Sequence, residues 1–145
     1  MAKTVGMIVP PAAGEVPPEP PVLYPTLAFI AEGLALPRLT PHGYDQVIAD
    51  TAGLAKKLKE RGADAVSLMG TSLSFYRGPA GNREVIEAMR EATDLPVTTM
   101  TNSVLEALDA LKAQRLAVAT AYTGAVNDAL ALYLEQSGYE VLSLE

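Results

Sequence analysis

Short apolar runs alternate with amphipathic stretches along almost the whole chain. Thr4 to Val9 (TVGMIV), Asp64 to Met69 (DAVSLM), Pro96 to Met100 (PVTTM), Arg115 to Thr120 (RLAVAT) and Tyr139 to Leu144 (YEVLSL) are largely continuous apolar or β-branched runs. Runs of that kind suit strands buried on both faces, which predicts parallel strands. Between them, Val47, Ile48, Thr51, Leu54, Ala55 and Leu58 share one helical face, with Lys56, Lys57, Lys59 and Glu60 mostly off it. Gly62 stands where a glycine stop belongs. Val85, Ile86 and Met89 mark a second helix, and Val104, Leu105, Leu108 and Leu111 a third. Val126, Leu130, Tyr133 and Leu134 mark a fourth, stopped by Gly138. This alternation predicts an α/β chain with an open parallel sheet flanked by helices.

Two segments interrupt the alternation. Seven of the eleven prolines fall between Pro10 and Pro25, directly after the first strand. Such a stretch resists regular structure and reads as a rigid surface loop or a lid. The chain then ends at Glu145, as the last strand would be complete. A parallel strand is normally covered by a following helix, so the pattern predicts a truncated piece of a longer α/β chain with an unfinished sheet edge.

Composition narrows the chemistry. A chain of 145 residues is the size of one ordinary domain, and no apolar run approaches the roughly 20 residues needed to span a bilayer. The N-terminal MAKTVGMIVPPAAG has too short an apolar stretch for a secretory signal, so a cytoplasmic location is expected. A net charge of −6 with scattered Lys and Arg argues against a nucleic-acid partner. Cysteine is absent and His42 is the single histidine, so no metal site is expected. His42 itself reads as a first-turn surface residue, with Thr40 as N-cap and Pro41 at the first helical position. Any chemistry is left to hydroxyls, carboxylates and backbone groups.

Ligands of open parallel sheets bind beyond the carboxyl ends of the strands. Three such ends carry unusual residues: Pro10-Pro11, Gly70-Thr71-Ser72 and Ala121-Tyr122-Thr123. Taken one at a time, Thr71 and Ser72 read as helix caps and Tyr122 as a packing residue. Taken together they suggest one crevice that offers hydroxyls and N–H groups without a cation, which suits an oxyanion held by hydrogen bonds. Neither GxGxxG nor GxxxxGK[ST] occurs, so nucleotide binding lacks its usual fingerprint.

GMIVPPAAG (Gly6 to Gly14), VSLMGTSLSFYRG (Val66 to Gly78), AMREATDLPVTTM (Ala88 to Met100) and RLAVATAY (Arg115 to Tyr122) closely resemble the arylmalonate decarboxylase family of the aspartate/glutamate racemase superfamily. The resemblance runs from about Val5 onward. It implies two similar α/β lobes with the active site between them: residues 1–113 as the first lobe and 114–145 as the truncated start of the second. It also implies loss of one carboxylate from a small-molecule dicarboxylate, a disubstituted malonate, with no cofactor. By this likeness Thr71, Ser72 and Tyr122 bind the retained carboxylate and stabilise the enediolate in a dioxyanion hole. Pro10, Pro11, Leu36, Leu39 and Gly70 line the substrate side, and Tyr44 is a pocket-side aromatic.

Gly70 bears on the reaction. By the same resemblance, racemases and maleate isomerase of the superfamily carry a cysteine here, whereas the decarboxylases have glycine and use a second cysteine as proton donor. That second cysteine has no counterpart in these 145 residues. The chain alone is therefore expected to be inactive, and to hide its apolar edge by forming a homo-oligomer or exchanging elements with a neighbour. Two alternatives stand beside the decarboxylase reading. One is a racemase or isomerase of a small dicarboxylate or amino acid. The other is a non-catalytic domain that binds carboxylates or assembles through its sheet edge.

Overall fold

Strand β1 (Thr4–Val9) lies inside a four-stranded parallel sheet in the order β2-β1-β3-β4, with β2 (Ala28–Gly33), β3 (Ala65–Leu68) and β4 (Val97–Thr99). The computed structural model describes residues 2–35 and 41–145, with only the backbone course for residues 41–49. Helices α2 (Pro41–Glu60) and α4 (Gly78–Thr93) cover one face, where Ile8, Leu68, Ala55, Leu58, Val85 and Met89 form the principal core. Each fully buried Leu or Ile contributes about 1.5–3 kcal/mol, so this face holds the sheet together. On the other face Met7, Val9 and Ala31 pack with Val16, which the proline-rich segment supplies.

The predicted apolar faces of α2 and α4 are buried or half-buried where their side chains are described. Thr51, Ala55 and Leu58 are buried on α2, and Val85 and Met89 on α4. Gly62 (φ 92°) and Gly138 (φ 94°) adopt the left-handed conformation expected after α2 and α6 (Gly124–Gln136). Val47 and Ile48, and the expected cap Thr40, lie outside the described side chains.

Four features differ from the sequence expectation. β2 was not expected, although Leu27 to Ala31 is itself a short apolar run; it follows the proline-rich segment directly and ends in Glu32 and Gly33. As the edge strand it tolerates Glu32, which pairs with Arg61 at 2.5 Å. The PVTTM strand stops at Thr99, since Met100 already opens α5 (Met100–Ala110). The proline-rich segment contains a one-turn helix, α1 (Glu19–Leu23), with no buried residue. Finally, β5 (Arg115–Val118) and β6 (Glu140–Leu144) are not buried on both faces; they pair in parallel as a separate two-stranded sheet with exposed positions along both strands. Their cover among the described elements is α6, and Leu111 and Leu142 remain 77% and 52% exposed.

Two polar ties link these parts. The Tyr139 hydroxyl at the start of β6 donates to Asp109 Oδ1 (2.6 Å) and lies 3.2 Å from the Leu105 carbonyl, both on α5. The Asp109 carboxylate foremost, and burial next, push the Tyr139 phenol up to about 12. Inside the fold, Asn82 of α4 donates to the Tyr133 hydroxyl of α6 (3.0 Å) and accepts from Thr99 Oγ1 (2.8 Å). Thr99 also caps α5 by accepting the Asn102 N–H at 3.2 Å.

Candidate active site

The chain crosses from β1 to β2 on one side and returns from β2 to β3 on the other, so its winding reverses between β1 and β3. That reversal opens a crevice at the carboxyl ends of these two strands. Pro10 leaves β1 there and Gly70 leaves β3. The Pro11–Ala12 backbone lies against the end of β2, so closely that a Cβ at Gly33 would stand 2.4 Å from the Pro11 carbonyl oxygen. Gly70 takes φ 121° and ψ 101°, which side-chain-bearing residues rarely adopt. This bend starts α3 (Thr71–Phe75) almost at once after the strand.

The reading of Thr71 and Ser72 as caps is not realised, since Gly70 holds the capping position and the helix has no side-chain N-cap bond. The Thr71 hydroxyl instead meets the Tyr122 hydroxyl at 2.5 Å. Tyr122 is half-buried, its ring edge-on to Phe75 with centroids 5.8 Å apart. Its N–H donates to Thr120 Oγ1 (3.1 Å), and the Thr120 hydroxyl donates to Asn127 of α6 (2.6 Å), so the turn after β5 is fixed by α6. Ser72 is only 8% exposed, and its hydroxyl has no hydrogen-bond partner among the described residues. A buried hydroxyl left unpaired costs about 1–3 kcal/mol, which a bound acceptor would recover.

Two cavities open on this region. One, of about 600 Å³, has Thr71, Thr101 and Tyr122 at its polar end and Val104, Leu105 and Leu108 of α5 along its wall. The other, of about 710 Å³, is lined by Pro10, Pro11, Val16, Met69, Gly70 and Met100. The three strand ends are thus shared between two cavities: Gly70 and Met100 line one, Thr71 and Thr101 the other. No Lys or Arg among the described residues lines either one.

The structure therefore brings Pro10, Pro11 and Gly70 together on one cavity and Thr71 and Tyr122 on the other, while Ser72 is buried and lines neither. Leu36 and Leu39 lie outside the described residues, as does the side chain of Tyr44. Ser74 and Thr101 were not singled out by sequence. They are 1% and 3% exposed, and both hydroxyls lie 3.0 Å from the Thr71 carbonyl oxygen. A hydroxyl one helical step after Thr71 and a threonine run at a strand end were the available signals.

The arylmalonate decarboxylase family matches residues 5–145. Arylmalonate decarboxylase of Bordetella bronchiseptica is 56% identical over 133 residues, which are 92% of this chain and 55% of that protein. The chain thus spans about half the length of that relative. A liganded double mutant of arylmalonate decarboxylase superposes with a TM-score of 0.95 at 51% identity, over 99% of this chain and 61% of the other. The maleate isomerase Iso from Pseudomonas putida S16 superposes with a TM-score of 0.90 at 21% identity, over 100% of this chain and 64% of the other, a likeness of fold alone.

Proposed function

Because the chain belongs to the arylmalonate decarboxylase family, we propose that it carries the carboxylate-holding half of a cofactor-free decarboxylase acting on arylmalonates. In that reaction the bond between the α-carbon and one carboxylate breaks, CO2 leaves, and the electron pair spreads onto the retained carboxylate as an enediolate. The observation that supports this best is the Thr71–Tyr122 hydroxyl pair on a cavity that no Lys or Arg among the described residues lines.

Each hydroxyl carries one proton. The 2.5 Å contact between Thr71 and Tyr122 uses one of their two, which leaves the other for a substrate oxygen. On family likeness Ser72 supplies a second. Two donors aimed at two oxygens make a dioxyanion hole, and donors fixed before the reaction stabilise developing charge without reorganising. Pro10, Pro11 and Gly70 would form the apolar side, with Leu36, Leu39 and Tyr44 assigned there on family likeness. A carboxylate against such a wall is poorly solvated and leaves as neutral CO2, an effect whose energetic description is contested. We assign residues 1–113 to a first lobe and 114–145 to the start of a second. On family likeness a thiol quenches the enediolate, and these residues contain none, so in this reading that proton comes from a group outside them. A two-thiol racemisation or isomerisation would need a cysteine at Gly70.

Titration calorimetry of the chain with phenylmalonate tests this reading. Thr71→Val and Ser72→Ala should each weaken binding about tenfold to a hundredfold, the worth of a hydrogen bond to a charged acceptor, without lowering the melting temperature. Tyr122→Phe should do the same. Folded variants that bind as tightly as the native chain would overturn the assignment.

A further inference from the structure

Thr71 contributes its side chain to the hydroxyl pair, so what holds its backbone decides where that hydroxyl points. Its carbonyl oxygen lies 3.0 Å from Ser74 Oγ and 3.0 Å from Thr101 Oγ1, and these two oxygens lie 2.6 Å apart. The Thr101 N–H adds a longer contact to Ser74 Oγ at 3.4 Å. One hydroxyl proton must sit in the 2.6 Å contact, which leaves the other for the Thr71 carbonyl at 3.0 Å, nearer than the Gly70 carbonyl 3.5 Å from Ser74 Oγ. The donor to Thr71 is itself polarised by its neighbour. Both side chains are almost fully buried, so water does not compete for these bonds. Thr101 is in turn fixed by the cap at Thr99, which Asn82 and Tyr133 anchor to α4 and α6.

We infer that Ser74 and Thr101 are positioning residues: they clamp the Thr71 carbonyl across the gap between α3 and α5, and so present the Thr71 hydroxyl to Tyr122 and to the substrate carboxylate. This rests on the reading of Thr71 and Tyr122 given above. Neither residue is a donor to the substrate in this account. The pair is redundant by construction, since loss of one hydroxyl frees the other to donate directly.

The test is a cycle of phenylmalonate titrations on the 145-residue chain. Ser74→Ala with Thr101→Val should weaken binding about tenfold, either substitution alone about threefold or less, and Thr101→Ser less than about twofold. Thr71→Val should cost clearly less in the double-variant background than in the native one, because a Thr71 that is no longer held has less to lose. A purely structural role predicts equal costs in both backgrounds, and that result would overturn the inference. If that double variant fails to fold, the same comparison is made with Ser74→Ala combined with Thr101→Ala, which also removes both hydroxyls, and judged the same way. If the native chain does not bind phenylmalonate, the proposed function fails, and the positioning claim is decided separately by the 13Cζ resonance of Tyr122. That resonance reports the hydrogen bond on its own hydroxyl: it should move in the double variant and stay in place with Thr101→Ser. An unmoved resonance in a folded double variant would refute the clamp.

Discussion

Gly70 shows how one residue serves both backbone and site. Its φ of 121° lets the chain turn from β3 into α3, and an added Cβ would stand 3.0 Å from Leu73 Cδ1 and 3.2 Å from Pro10 Cγ. The leucine tip can move, but the proline ring is held at the end of β1. Gly70→Cys should therefore cost about 1–3 kcal/mol, the usual worth of a strained backbone position, as read by urea denaturation. A variant within about 0.5 kcal/mol of the native chain, as surface substitutions usually are, would show that the loop relaxes freely. Gly70 stood out in the sequence because a glycine followed by two hydroxyls ended an apolar run. Ser74 did not, because nothing in the local pattern says that its hydroxyl reaches α5.

Among the elements, β1 and β3 are joined by more than their ladder. Asp64, just before β3, accepts the Thr4 N–H at 2.8 Å and the Lys3 ammonium at 2.9 Å. The Thr4 N–H foremost, and Lys3 next, hold its carboxyl below the ordinary value near 3.8. A carboxyl whose folded-state pKa is depressed stabilises the fold above its unfolded pKa, and loses that contribution as pH falls through the folded one. Asp64→Asn should thus be less stable than the native chain at about pH 6, with the gap closing below about pH 4. Denaturant midpoints across that range measure it, and a gap that stays constant would rule the linkage out. The apolar stripe of α5 was legible in the sequence, but its surroundings were not: Val104, Leu105 and Leu108 line a cavity rather than a closed core.

For the whole molecule, exposed apolar groups gather on α1 and around the small sheet. Val22, Leu23 and Tyr24 are 78%, 68% and 58% exposed, and Leu132 is 54% exposed. Among the described residues β5 and β6 pair only with each other, so each keeps an open edge. Such edges and patches favour association. The 145-residue chain should therefore self-associate in light scattering, and a monodisperse monomer would contradict this. It should also form phenylacetate from phenylmalonate no faster than the buffer does, because it contains no thiol to protonate the enediolate. Sustained turnover would overturn the division of labour proposed between this chain and an external proton donor.

Periodicity along the chain was enough to establish the α/β class, four helices and the approximate place of five strands, because each depends on neighbours a few residues apart. The motif stretches likewise pointed to the family and to Thr71, Ser72 and Tyr122. Tertiary structure alone decided the rest. β2 exists because an edge strand needs only one partner and can keep a glutamate. The strand ends came to line two cavities, with the neighbours Gly70 and Thr71 on different ones. The contact between Thr71 and Tyr122 spans 51 positions and the clamp on Thr71 spans up to 30. Hydroxyls so far apart in sequence leave no periodic trace, and only the packing of α3 against α5 and α6 brings them together.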